Sequence, residues 1–171
     1  ICVKYKLYLI LMCLKINCIF ALIAMTLVWI SCGTSRVSMD DSTAVSPTHQ
    51  VVQTAKSYVG SNYKYGASGP RKFDCSGFVY FVFRNNNIPI GRTTTEQSQS
   101  GQKISINRAR PGDLVFFGKG RKMQHVGLVV AVGNGKLEIV HSTTSRGVVV
   151  EEVYSSPYWS KRLKFAVRVN T

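Results

Sequence analysis

Carboxylates are scarce in this sequence: Asp and Glu number 8 against 22 Lys and Arg, a formal net charge of +14. A balance this basic suits anionic surroundings such as lipid headgroups, acidic polymers or nucleic acid. The cations are not gathered into one run; they recur from Lys56 to Arg168 among apolar residues. Zinc-ligand spacing, a basic helix with heptads and the aromatic ribonucleoprotein motif are all missing, so no nucleic-acid partner is expected. Cysteine is the second shortage. Of the 5 present, Cys2, Cys13, Cys18 and Cys32 lie near the N-terminus and Cys75 stands alone beyond them. One thiol cannot staple a domain internally, and with 3 His there are too few ligands for a metal site. Neither a metal nor an organic cofactor is expected. Internal repeats are absent too. What is present, 45% hydrophobic and 11% aromatic residues, excludes a disordered chain.

Lys4, Lys6 and Lys15 precede an uncharged stretch from Ile16 to Cys32, which ends in Ile30-Ser31-Cys32 and is followed by Gly33 and polar residues. That is the basic, apolar, small-residue order of a signal peptide; read from Met12 it becomes a compact leader. The small residue before Cys32 resembles a lipoprotein cleavage site, with residues 1–32 as the leader and Cys32 as the lipid-bearing residue. Trp29 departs from the Leu or Val usual there. Residues 33–49 are rich in Ser, Thr and Asp with little apolar content, and read as a flexible linker holding a solvated His49.

The domain then runs from 50 to 171. Val51, Val52, Ala55, Tyr58 and Val59 fall at helical spacing, ended by Gly60. Asn62 to Lys72 is Gly-, Ser- and Pro-rich loop. Asp74 caps a second helix through Phe78, Val79, Phe81, Val82 and Phe83, apolar nearly all round and therefore central. A short polar helix spans 94–99. Strands are expected over 114–117, 125–132, 137–141, 148–153 and 165–169. Helices first and sequential strands after them give an α+β fold, with N-terminal helices packed on an antiparallel sheet of about five strands.

Cys75 lies where a loop enters the buried helix, between Asp74 and Ser76-Gly77. In a helix's first turn a thiol meets unpaired N–H groups and the positive end of the dipole, which lower its pKa. Such a flanking suits a reactive group better than a core filler. A thiolate needs a proton acceptor, and His125 opens one strand while His141 closes the next. The expected roles are Cys75 as nucleophile, His125 as base and His141 as its orienter. Faces alternate along a strand, so the turn decides whether the two imidazoles share a face. A two-residue Asn134-Gly135 turn sets Val132 opposite Leu137 and, with a regular ladder, separates them. A three-residue loop with Gly135 as a left-handed bulge pairs Val132 with Lys136 and unites them. The bulged turn is expected.

Taken together these residues resemble the NlpC-type (NlpC/p60) cell-wall cysteine peptidases, a papain-like family. Asp74-Cys75-Ser76-Gly77-Phe78 is similar to the family's nucleophile motif, His125-Val126-Gly127 to its base motif, and His141-Ser142 falls at the third polar position. Pro111-Gly112-Asp113-Leu114-Val115-Phe116-Phe117 and Pro157-Tyr158-Trp159 are further matches, and the likeness covers Val51 to Val169. Ala67 in place of a second Gly after Gly66, and Gly91 in place of the Pro before Arg92, depart from the pattern. The resemblance implies a peptidoglycan endopeptidase that hydrolyses stem-peptide or cross-link amide bonds through an acyl-thioester. A wall amidase of similar Cys-His chemistry and a catalytically silent wall-binding lipoprotein are the alternatives. It further implies that Tyr63 lines the site and assists the oxyanion, and that Asp74 and Ser76 lie around the substrate's amino end. With the lipid anchor, it points to a monomer in the cell envelope, on the periplasmic face of the outer membrane.

Overall fold

The computed structural model describes residues 46–170. The leader, Cys32 and most of the expected linker lie outside these residues. Helix α1 spans Pro47–Ser57, so the chain turns helical before the expected start at residue 50. Pro47 explains the difference: its fixed φ and missing N–H suit the first helical position. His49 is accordingly an exposed residue of that first turn rather than of a linker. Val51, Val52 and Ala55 face inward.

Strands β1 (Asn62–Tyr63) and β2 (Lys72–Phe73) form a small parallel pair within the expected loop, with Tyr63 beside Phe73. Helix α2 (Cys75–Asn85) follows, capped by the Asp74 carboxylate, which accepts from the Gly77 N–H at 2.6 Å. Phe78, Val79, Val82 and Phe83 are buried, and Asn87 ends the helical stretch with φ of 58°. Helix α3 is the single turn Thr94–Gln97, closed at its start by a Thr93–Glu96 capping box.

A six-stranded antiparallel sheet makes up the rest, in the order β3-β8-β4-β5-β6-β7. Its strands are β3 (Gly101–Ile104), β4 (Leu114–Lys119), β5 (Lys122–Gly133), β6 (Lys136–Thr143), β7 (Gly147–Glu152) and β8 (Leu163–Val169). Helix α4 (Pro157–Ser160) lies between β7 and β8. The fold is α+β and papain-like, as expected, with the edge strand β3 added to the anticipated sheet. Both faces of the sheet are dry. One carries Leu114, Phe116, Val126, Leu128 and Val140 against α1 and α2. The other gathers Val115, Phe117, Val129, Ile139 and Ala166 under Trp159 and Leu163.

The β5–β6 turn is the tight one, contrary to expectation. Val132 pairs with Leu137 and Gly133 with Lys136, leaving Asn134 (φ 51°) and Gly135 (φ 72°) as the two turn residues. Positive φ at both positions is the primed turn that Asn-Gly favours. The ladder is nevertheless irregular. Between Val129 and Ala131 the register shifts, so that Leu128 faces Val140. The bulge that brings His141 level with Gly127 sits inside strand β5, not at the turn.

Candidate active site

The β5–β6 pairing stops at Leu128–Val140, whereas β6–β7 continues to Thr143–Gly147. At this parting of the strands the N-terminus of α2 is moored. Ser142 Oγ donates to the Phe73 carbonyl at 2.8 Å, two residues ahead of Cys75. Gly77 permits the close fit of the loop on the helix: a Cβ there would lie 2.1 Å from the Ala67 carbonyl oxygen. Here opens a cleft of about 520 Å³, lined by Tyr63, Cys75, His125, Arg146, Tyr158 and Trp159 among others.

Three of the residues singled out by sequence, Cys75, His125 and Tyr63, therefore meet in one cavity. His141 stands directly behind them, fully buried, with its Nδ1 2.9 Å from Nε2 of His125. The protons in this chain are fixed by its far end. His141 Nε2 is 3.1 Å from Glu151 Oε2, and a carboxylate oxygen only accepts, so Nε2 carries the hydrogen. A neutral His141 then has a bare Nδ1, which accepts from His125 Nε2–H. His125 is left with Nδ1 as its free lone pair. The array is thus a neutral base with its tautomer set by a carboxylate two rings away.

Glu151 was not foreseen from the sequence. It sits in β7 opposite Ile139, on the face that carries His141. Its Oε2 also receives Trp159 Nε1 at 3.2 Å and the Arg146 guanidinium. Only a long-range register could reveal it, because in sequence it is one more polar residue at a strand's end. Trp159 was read as part of a signature without a role. Its ring stacks on His125 at 4.5 Å and 28° and meets Phe117 edge-on at 5.1 Å, clamping the base from the side opposite the strand.

The expected acidic thiol is corrected by its surroundings. Burial pushes the Cys75 pKa up, and the neighbouring Asp74 carboxylate adds to that. Hydrogen bonds from the Ser76 backbone, the Thr94 side chain and the Val126 backbone pull the other way but do not prevail. A helix N-terminus contributes about 0.3–1 kcal/mol, under one pKa unit, while desolvation shifts buried groups by up to about 3–5 units. Burial likewise pushes His125 down to about 3, aided by His141, and His141 down to about 4 against the pull of Glu151. Both shifts run toward the neutral forms, a thiol and an imidazole. The Val126 contact puts the sulfur beside the residue next to His125.

Asp74 and Ser76 stand at the start of α2, on either side of Cys75. Neither lines the cleft. Burial acts to raise the Asp74 carboxyl, but Arg92 at 2.7 Å, the Gly77 N–H and the Ser76 hydroxyl outweigh it and hold the pKa below its ordinary value. Arg92 also donates to Ser76 Oγ at 3.1 Å. The group braces the helix start. Tyr63 does face the cavity. Burial and the nearby thiol and carboxylate raise its pKa, so its hydroxyl stays protonated and able to donate. Among the described residues no group of three or more His, Cys, Asp or Glu is arranged to hold a metal ion.

Several known proteins are similar to this chain. The chain is 39% identical over 111 residues to the murein DD-endopeptidase MepS/murein LD-carboxypeptidase of Escherichia coli K12, covering 64% of this chain and 56% of that protein. It is 38% identical over 113 residues to the probable endopeptidase p60 of Listeria welshimeri, covering 66% of this chain and 20% of that one. The chain thus spans about half or less of these curated relatives. In structure it is similar to the NlpC/p60 domain of the peptidoglycan hydrolase SagA, with a TM-score of 0.61 and 31% identity over 71% of this chain and 98% of that one. The NlpC/P60 family model matches residues 60–168, and the chain belongs to the NlpC/P60 family.

Proposed function

We propose that this protein is a peptidoglycan endopeptidase that hydrolyses amide bonds of stem peptides or cross-links through a Cys75 thioester. The observation that carries the reading is the chain Glu151–His141–His125, which leaves an unprotonated imidazole nitrogen in the cleft that also holds the Cys75 thiol. In the first step the sulfur attacks the amide carbon while its proton passes to His125 Nδ1, so the pair ionises only as the bond forms. The buried imidazolium is supported through His141 by the Glu151 carboxylate. The new oxyanion takes hydrogen bonds from the Tyr63 hydroxyl and the Cys75 backbone N–H. His125 then returns its proton to the leaving amine, and the same nitrogen activates water to hydrolyse the thioester. A pair that is neutral between turnovers avoids holding two opposite charges in a partly buried site.

Purified protein incubated with muropeptides is expected to release a fragment whose mass marks the bond cut, and Cys75→Ala is expected to lose at least about 10³-fold in rate. A glycan–peptide cut would favour the amidase alternative. Turnover by Cys75→Ala at the parental rate would end the enzyme reading.

The finer reading of location is that Cys32 carries a lipid and tethers the domain as a monomer to the periplasmic face of the outer membrane. Its support is the order of basic, apolar and small residues before Cys32. Among the described residues no helix is long and apolar enough to cross a membrane. Metabolic labelling with an alkyne fatty acid is expected to mark the parent and not Cys32→Ala; equal label on both would remove the anchor.

A further inference from the structure

Beside the reaction cleft lies a second cavity of about 350 Å³, enclosed by the β4–β5 hairpin and the chain entering β8. Its charged lining is entirely cationic: Lys119, Lys161, Arg162 and Lys164. Gly118 and Arg162 border both spaces, so the two are neighbours. Strand β4 is irregular here. Its register slips against β5 between Phe117 and Gly118, and against β8 between Phe116 and Phe117, which swings the hairpin away from the sheet.

Among the described residues three carboxylates are paired elsewhere. Asp74 is taken by Arg92, Asp113 by Arg168, and Glu151 by Arg146. Among the described residues none of the four cations around the second cavity has an anionic partner. Arg162 is held instead by the Tyr158 carbonyl at 3.0 Å and lies over the Tyr158 ring at 3.7 Å. Lys164 Nζ donates to the Gly120 carbonyl at 2.6 Å. Lys119 and Lys161 are exposed. Clustered like charges repel one another, and two of these side chains are fixed in place by contacts that leave their charge unneutralised. Arg162 borders both spaces and has further donors besides the one given to Tyr158, a planar fork of the kind that suits an oxyanion.

We infer that this second cavity is a carboxylate subsite that holds an anionic arm of the wall peptide while the scissile amide lies at Cys75. This rests on the function proposed above and adds to it a charge requirement: free stem-peptide carboxylates are preferred to neutral ones. The exposed lysines, each worth little alone, together are expected to change binding by roughly fivefold.

The test compares the parent with the double variant Lys119→Gln/Lys161→Gln on a muropeptide with free carboxylates and on the same muropeptide carboxamidated. The parent is expected to show a KM roughly fivefold lower for the acid form, a margin that shrinks in 0.5 M salt. In the double variant the KM for the acid form should rise toward that of the amide form, with kcat kept. Equal KM values in the parent, or an unchanged preference in the variant, would overturn the subsite. Calorimetry with Cys75→Ala reads the same preference without turnover. Charge-selective binding with no cleavage by the parent would sink the proposed function and leave the subsite standing; cleavage without selectivity would do the reverse. Tighter binding of a glycerol-phosphate polymer than of the acid muropeptide would overturn the assignment to carboxylate.

Discussion

At the scale of single residues, the deciding feature is that one carboxylate sets the proton positions of two imidazoles. Glu151 accepts from His141 at 3.1 Å, and everything upstream follows from its inability to donate. Replacing it by Gln keeps an acceptor of similar shape but removes the charge and adds a donor that can face the wrong ring nitrogen. Glu151→Gln is expected to lower kcat/KM by roughly 10–100-fold, by analogy with the loss of outer-shell partners of other imidazoles. The carboxylate raises the His141 pKa, so its removal lowers it and moves the acid limb of the pH–rate profile to lower pH. A role in packing alone would reduce activity without moving that limb, and an unmoved limb in the variant would refute the positioning role. The proximity of Cys75, His125 and His141 was legible because few residue types suit nucleophile-and-base chemistry and each sat beside a boundary of an element. Glu151 was not, since its partner is set by strand pairing. Asp74 was legible as a helix cap, but its pairing with Arg92 across 18 positions was not.

At the scale of elements, patterns that depend on near neighbours were readable. The cap at Asp74, the apolar run from Phe78 to Phe83 and the alternating strands all appear close to where local spacing placed them. Strand β3 escaped because Gly101-Gln102-Lys103-Ile104 buries only Ile104, and a polar edge strand has no inward face to reveal it. Its existence depends on β8, which lies more than sixty residues further along the chain. The β5–β6 hairpin shows the same division more sharply. Asn134-Gly135 has the composition of a tight primed turn and forms one. The bulge that aligns the histidines lies between Val129 and Ala131, in an apolar run with no mark of its own. Packing chose its position. At Gly127 a Cβ would stand 2.8 Å from the Ile139 Cδ1, so the strand closes tightly on β6 just before the two part.

For the molecule as a whole, the buried histidines couple the site to acid stability. His125 and His141 titrate at about 3 and about 4 when folded, against 6.5 for the free side chain. Between those values the unfolded chain binds more protons, so stability falls as pH drops through that window. The loss is at most about 1.4 kcal/mol per pH unit for each group. Thermal melting is expected to show Tm falling steadily from pH 6.5 to 4, with a flatter slope in His141→Asn; an identical slope in that variant would contradict the burial argument. The amino-acid sequence by itself determined the helix–strand order, the positions of the thiol and both imidazoles, and the excess of positive charge, because these rest on composition and on contacts a few residues apart. Only the tertiary structure decided that burial opposes the thiolate, that Glu151 meets His141 behind His125, and that four cations surround an unneutralised cavity beside the cleft. Each of those depends on desolvation and on charges meeting across distant strands, quantities that the packed chain sets and no local pattern records.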